Sequence, residues 1–379
     1  MKRFLNQEVH WIEDNAALEK QCLKWRASKI LSVDTEFMRS RTYFPIAGLF
    51  QVNDAQANYL IDPTTIDDFS PLTEILCDQN SVKVLHSCSE DLEVFHRALG
   101  VLPENIFDTQ IAAALLGYGF SLGFASLSTK LFNIELPKSE TRSNWLQRPL
   151  SEAQIHYAAL DVEYLTAMAV RLIKEAQAQN RLEWVKEECE QLKSSFYTLQ
   201  DADQAWQRNK SAWKLKPREL QRFILLSRWR EDCARDRDVP RNRVVKDHSL
   251  MALAQNPPET TEDLKKFEGF SERRVRSDGE TVLNLLQEAN KVEECDLPQR
   301  LERPLSSSAK DKLKKLRGAI QKKAEALNIA SEVLVKKKDL EDLMRMDAQL
   351  TTLPQGFQGW RQELIGDFIM TEFKKLMGA

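Results

Sequence analysis

The sequence predicts an α/β domain, a mixed sheet flanked by helices, followed by two all-α domains. Three observations predict it. Strand-like and helix-like periodicities alternate from residue 8 to residue 107. From about 108 to 193 the apolar spacing is almost entirely helical, and beyond about 200 strand signals fade while one helical pattern occurs twice. Alternating periods argue for a sheet covered by helices, and an unbroken helical period argues for helix-on-helix packing. At 379 residues, with 42% hydrophobic and 29% charged residues, the chain is long enough for two or three separately cored domains.

Taken in order, residues 9–12, 29–33, 49–53, 58–61 and 82–85 read as strands, being short apolar runs bounded by polar or turn residues. Residues 16–25, 72–76 and 92–99 carry apolar side chains at helical spacing. Ser87 and Glu90 have the spacing of a capping box, so the third of these helices is expected to open there, with Asp91 in its first turn. The segments 194–207 and 293–308 are polar connectors; the second also holds Pro298, Pro304 and three consecutive serines. That second connector makes a clean removal of the C-terminal segment plausible. The resulting domain limits are 1–200, 208–292 and 305–379.

The repeat lies at a constant offset of 90, without a gap. Leu226 matches Leu316, Ala234 matches Ala324, Val239 matches Ile329, and Val244-Val245-Lys246 matches Leu334-Val335-Lys336. Leu250 and Leu253 match Leu340 and Leu343, and Phe267-Glu268-Gly269-Phe270 matches Phe357-Gln358-Gly359-Trp360. Two copies of one small helical domain is the physical reading.

Five residues of the first domain carry chemistry. Asp34 and Glu36 close the apolar run Ile30-Leu31-Ser32-Val33; residues two apart on a strand share a face, so both carboxylates can point at one spot. Tyr157 and Asp161 are four apart in a helical pattern and share one helix face. Asp91 comes from a third element. In a chain with 57 acidic residues one Asp-x-Glu means little, and singly each residue reads as a surface acid, a first-turn acid or a core aromatic. Together they suit a pair of hard cations, Mg²⁺ or Mn²⁺, whose oxygen ligands would come from three separated elements. Such a pair can hold the attacking and leaving oxygens of a phosphodiester displacement.

These strings, Val33-Asp34-Thr35-Glu36-Phe37, Leu85 through Phe95, Phe107 through Ala114 and Tyr157 through Leu165, resemble the three exonuclease motifs of the DEDD 3′–5′ exonuclease superfamily. The match is to its tyrosine-bearing subclass and, within that, to the ribonuclease D family. Lys138 through Arg142, Trp145 and Arg148-Pro149-Leu150 are similar to that family as well, and the repeated helical pattern resembles the HRDC domain. The resemblance implies a ribonuclease H-like fold and stepwise hydrolysis of the 3′-terminal phosphodiester, with release of 5′-mononucleotides. Asp34, Glu36, Asp91 and Asp161 would hold the two ions, with Asp34 bridging them, and Tyr157 would orient the attacking water. RNA, and tRNA precursors in particular, is the implied partner.

Substrate contacts are expected from Phe37, Lys83, His86, Lys138, Arg142 and Arg148. Phe37 is a core aromatic by strand alternation, since it should face away from Glu36; the resemblance implies instead a wedge against the terminal base. Lys83 and His86 precede Asp91 and could reach a phosphate. Lys138, Arg142 and Arg148 lie in a polar stretch suited to backbone contacts. His156 and Cys88 fall inside motif strings without evident chemistry.

A net charge of −3 conceals a basic stripe: between positions 310 and 338 ten Lys or Arg face three acids. Such a stripe follows phosphates by charge, or is a solvated helix face. Lys214, Lys216, Arg218 and Arg222, with Trp213 for stacking, would contribute from the first copy. The N-terminus has no signal-like apolar core, and the aliphatic run 111–116 is too short to span a bilayer. Six scattered cysteines suggest neither disulfides nor zinc, so a cytoplasmic protein is expected. A DNA exonuclease would share every catalytic residue, because only contacts to a 2′-hydroxyl separate the two substrates. A non-catalytic nucleic-acid binder would have no need of all four acids and the tyrosine.

Overall fold

The computed structural model describes residues 7–136, 140, 143–347 and 349–378. The chain packs as two units, one of residues 1–38, 46–193 and 305–379 and one of residues 39–45 and 194–304. In the first, β1 (Val9–Ile12), α1 (Asn15–Trp25), β2 (Ile30–Met38), β3 (Ile46–Asn53) and β4 (Asn58–Ile61) are followed by α2 (Ser70–Cys77), β5 (Val82–Leu85), α3 (Ser89–Leu99) and β6 (Ile106–Asp108). Then come α4 (Thr109–Leu115), α5 (Phe124–Phe132), α6 (Glu152–Ala178) and α7 (Leu182–Gln200). The strands form a mixed sheet in the order β1-β4-β3-β2-β5-β6. Only β3 runs against its neighbours.

The five expected strands form, and two are longer than their apolar runs. β2 continues past Val33 through Asp34 and Glu36 to Met38, because the antiparallel ladder with β3 satisfies its backbone from Ser32 to Met38. β6, at three residues, is too short to show a period, and sequence reasoning missed it. The expected capping box is absent: α3 starts at Ser89, and Ser87 sits in the left-handed region at φ 59°. The Cys88 amide is instead held by Asp108 Oδ2 at 2.9 Å. The expected connector at 194–207 is also partly wrong, since α7 runs to Gln200.

α6 crosses the sheet and is pinned to it. Thr166 Oγ1 lies 2.6 Å from both Ser32 Oγ on β2 and Asn53 Oδ1 on β3. Its N-terminus is closed by a Ser151–Gln154 capping box. Before it, Trp145 lies on β3, buried with Leu49, Leu60, Leu150 and Ala158. Gly48 allows this approach, as a Cβ there would come within 2.8 Å of the Trp145 Cβ.

The second unit contains α8 (Pro217–Asp236), α9 (Arg241–Val244), α10 (Asp247–Gln255), α11 (Thr261–Leu264) and α12 (Glu272–Lys291). Its core is built on Phe223, Leu226, Leu250, Leu253, Leu264 and Val282. Tyr43, from the loop between β2 and β3, joins that core, and its hydroxyl donates to buried Glu231 while accepting from Arg241 at 2.9 Å. Burial alone would raise the Glu231 carboxyl. Hydrogen bonds from Arg241 and Tyr43 and the charges of Arg241 and Arg208 outweigh it and bring the pKa down to about 2.

The first unit closes with α13 (Ser307–Leu327), α14 (Ser331–Leu334), α15 (Lys337–Leu343) and α16 (Trp360–Met377). α13, α14 and α15 start 90 residues after α8, α9 and α10. The matched Leu226 and Leu316, Leu253 and Leu343, and Phe270 and Trp360 are all buried. Both repeat glycines, Gly269 and Gly359, take positive φ, at 93° and 67°.

Clean removal of the C-terminal segment does not survive the structure. Trp360 stacks on Trp184 of α7 with ring centroids 4.9 Å apart, and Arg361 pairs with Glu188 of the same helix. Both members of that pair are buried, and cutting at the connector would strand the Glu188 carboxylate.

Candidate active site

Three elements converge on one cleft. Asp34, Thr35, Glu36 and Phe37 of β2, Asp91 of α3, and Tyr157 and Asp161 of α6 line it, around a volume of about 320 Å³. Asp34, Glu36 and Asp161 each offer a ligand oxygen within 4.8 Å of the others. Asp91 lies in the same cleft, where its Oδ1 accepts from Thr35 Oγ1 at 2.5 Å. The Tyr157 hydroxyl and the Asp161 carboxyl, one helical turn apart, line the same cleft and influence each other electrostatically.

The electrostatics are those of an uncompensated anionic cluster. Burial, then the Asp161 charge, raises the Asp34 carboxyl; burial, then Asp34, Asp161 and Asp91, raises Glu36. Burial followed by the Asp34 charge raises Asp91, and burial raises Asp161. Burial and the surrounding carboxylates also push the Tyr157 phenol well above its ordinary value. Among the described residues no lysine or arginine lines this cleft. The donor set, carboxylate oxygens from three elements, fits a hard divalent cation, which would balance this charge.

The substrate-contact expectations fare less well. Phe37 does line the cleft, against strand alternation, because the β2–β3 register shifts between Glu36 and Phe37. Lys83 is fully buried, and its amine donates to the carbonyl oxygens of Asp78 and, at 2.7 Å, of Ser81. Burial brings its pKa down to about 8, and it does not reach the cleft.

His86 lines the cleft, but both ring nitrogens are engaged, Nδ1 with Thr109 Oγ1 at 2.8 Å and Nε2 with the Leu122 carbonyl at 3.0 Å. Burial lowers its pKa; Nε2 faces the Leu122 carbonyl, and Nδ1 faces Thr109 Oγ1, whose hydroxyl itself donates to the Leu85 carbonyl at 3.1 Å. It holds the wall of the cleft and has no nitrogen left for a phosphate.

Arg148 is spent internally. It forms a two-point pair with Asp62 at 2.5 and 2.6 Å and donates to the carbonyls of Gly48, Trp145 and Gln147. This clamp fixes Trp145, which in turn packs beside Tyr157 with ring centroids 6.2 Å apart. Lys138 and Arg142 lie outside the described residues.

In the second unit Arg218 and Arg222 are also committed. They bind carbonyl oxygens of Ala289, Asn290 and Val292 at the end of α12, and the Asn290 side chain with the Ala254 carbonyl, respectively. Their cations sit where a helix C-terminus favours positive charge.

Thr35, Ser87 and Phe124 line the cleft and were not expected there. Thr35 was hidden by alternation, which sets it on the opposite pleat from its neighbours. The turn at Ser87 and the cleft-facing ring of Phe124 leave no periodic signal.

Fold and cleft together define a 3′–5′ exonuclease: residues 9–177 match the 3′–5′ exonuclease family and residues 219–286 match the HRDC domain. The chain is 41% identical to ribonuclease D of Pseudomonas paraeruginosa over 365 residues, covering 96% of this chain and 97% of that one. It is 36% identical to ribonuclease D of Escherichia coli K12 over 360 residues, covering 94% and 96%. The crystal structure of Escherichia coli RNase D, an exoribonuclease involved in structured RNA processing, superposes with a TM-score of 0.86 over 98% of this chain and 99% of that one, at 34% identity. This chain belongs to the ribonuclease D family, and its enzymatic class is that of a hydrolytic 3′–5′ exonuclease.

Proposed function

We propose that this chain removes nucleotides one at a time from the 3′ ends of structured RNA, with tRNA precursors as the substrate class. The observation that carries the reading is the convergence of Asp34, Glu36 and Asp161 within 4.8 Å, with Asp91 and Tyr157 in the same cleft. The fold around it is read as ribonuclease H-like and of the tyrosine-bearing DEDD subclass.

When bound, two divalent cations, Mg²⁺ or Mn²⁺, would supply Lewis-acid chemistry, making water more acidic and stabilising negative charge on the leaving 3′-oxygen. Asp34, Glu36, Asp91 and Asp161 would hold them. Tyr157 orients the attacking water through its hydroxyl. Its phenol is raised further from neutrality, which makes it a poor base and a good fixed donor or acceptor. Phe37 supplies an aromatic face for the terminal base beside the acids.

We assign 1–200 as the exonuclease domain, and 208–292 and 305–379 as two HRDC copies. The second copy is supported by the constant 90-residue offset of helix starts and by burial at matched positions. The test is incubation with 3′-extended tRNA and matched single-stranded DNA in Mg²⁺, Mn²⁺ or EDTA, resolved at single-nucleotide steps. A metal-dependent ladder on RNA is expected; a ladder on DNA alone, or none, contradicts the reading.

A further inference from the structure

A second groove lies in the first unit, with a volume of about 660 Å³. Its floor is apolar, built from Leu313, Ile320, Val335 and Leu340, all buried. One rim is a single face of α13, where Lys310, Lys314 and Arg317 follow the i, i+4, i+7 spacing. Among the described residues no ion pair engages these three. Lys336 and Lys337 add charge, although they sit 3.9 Å from Glu188 and 3.5 Å from Glu341, and Glu332 is the one acid in the lining. At the lip stands Phe120, 53% exposed, which no packing requirement explains.

Phe120 ties this groove to the acidic cleft. It belongs to the loop between α4 and α5, and Phe124, four residues on, lines the cleft. Four residues span at most about 14 Å, so the lip of one cavity and the wall of the other are within reach of a few nucleotides.

The loop is held at both ends. On the groove side the Ala330 amide donates to the Ala114 carbonyl at 2.9 Å, and Arg181 bridges the carbonyls of Leu115 and Asn328 at 2.6 and 3.0 Å. On the cleft side the Leu122 carbonyl accepts from His86 and from Gln110 at 3.0 and 2.9 Å. Gly117, at φ 82°, lies so close to Asn328 that a Cβ would collide with it.

We propose that this groove is a second RNA-binding site, which holds the strand a few nucleotides upstream of the 3′ end while the end itself occupies the acidic cleft. Phosphates lie along Lys310, Lys314 and Arg317, and a base stacks on Phe120. Charge complementarity favours a polyanion, and the exposed ring favours one with bases. The proposal rests on the exoribonuclease reading above.

The test compares the full-length wild-type chain with the triple variant K310A/K314A/R317A and with F120A. Binding of a 12-nucleotide RNA is measured in EDTA across a salt series, and hydrolysis of a trinucleotide, too short to reach the groove, is measured with Mn²⁺. The triple variant is expected to bind the 12-mer roughly 10–100-fold more weakly, with a slope of log K against log salt shallower by about 2, for three lost single-strand phosphate contacts. F120A is expected to bind roughly tenfold more weakly with an unchanged slope, since stacking is uncharged. Trinucleotide hydrolysis stays at the wild-type rate in both. Unchanged affinity and slope for the 12-mer overturn the proposal, as does an equal loss on the trinucleotide. A decaglutamate peptide that binds wild type but not the triple variant, while the 12-mer is indifferent to the substitutions, assigns the groove to an acidic protein and also overturns it. A wild-type chain that hydrolyses neither RNA overturns the exoribonuclease reading itself.

Discussion

The hydroxyl of Thr35 donates to Asp91 Oδ1 at 2.5 Å, joining β2 to the first turn of α3 beneath the acidic cleft. Thr35 sits between Asp34 and Glu36 on the other pleat of the strand, so one tripeptide presents two carboxylates and also holds a third. Both partners are buried, and the bond leaves the second Asp91 oxygen for another ligand. Partners of this kind fix the direction of a metal-binding carboxylate.

Thr35→Val keeps the shape of the side chain and removes the donor. It is expected to raise the Mg²⁺ or Mn²⁺ concentration needed for half-maximal hydrolysis by roughly 10–100-fold, whereas Thr35→Ser stays near wild type. A metal titration of activity checks this. An unchanged midpoint in the valine variant would mean that Asp91 needs no orienting partner.

Asp34→Asn and Asp161→Asn each remove a ligand charge at nearly constant volume. Hydrolysis is expected to fall by roughly 10³-fold or more in each, with RNA binding in EDTA largely intact. Groups that act as one unit are non-additive, so the double variant should be hardly slower than either single one. Losses that multiply in the double variant would show that the two acids serve separate purposes.

Tyr157→Phe removes only the hydroxyl that lies in the cleft beside Asp161. Single-turnover hydrolysis should slow by roughly 10²-fold or more, in the range of a lost proton-handling or water-orienting group. Metal midpoint and RNA affinity should be unchanged. Wild-type turnover in this variant would reduce the ring to packing against Trp145.

Asp34, Glu36 and Asp161 make metal-free stability depend on pH. Their native carboxyls are raised by burial and mutual repulsion, so their contribution is fully present below the ordinary carboxylate value near 4 and is lost as pH rises through the raised native values. A divalent cation binds the ionised form and reverses the trend. Thermal unfolding should therefore show a gap between Mn²⁺ and EDTA samples that widens from about pH 5 to pH 8, and a flatter EDTA profile for Glu36→Gln. Matching EDTA profiles in the variant and the wild type would count against the cluster as the source.

Periodicity explains what the sequence reveals of this site. Asp34 with Glu36 follow the strand period and Tyr157 with Asp161 the helix period, so their shared faces are local facts. The repeat was legible for the same reason, since buried leucines recur at fixed spacing. What stayed hidden depends on distant partners or broken periods. Phe37 reaches the cleft through a bulge that alternation does not anticipate. Arg148 looks like a phosphate ligand until Asp62, 86 residues earlier, is found paired with it. Lys83 and His86 are taken by backbone carbonyls and a threonine hydroxyl, partners that carry no compositional mark. The C-terminal segment looked removable because its connector is polar, yet the buried Glu188–Arg361 pair lies far from that connector in sequence.

The central claim is that the four acids hold a pair of cations. Anomalous diffraction from crystals grown with Mn²⁺ tests it most directly. Two peaks are predicted in the cleft, about 3.5–4 Å apart, the separation at which two ions can clamp one displacement. Asp34 is predicted to touch both, and the Asp161→Asn variant should lose at least one. No Mn²⁺ peak among Asp34, Glu36, Asp91 and Asp161, at concentrations that support hydrolysis, would contradict the account.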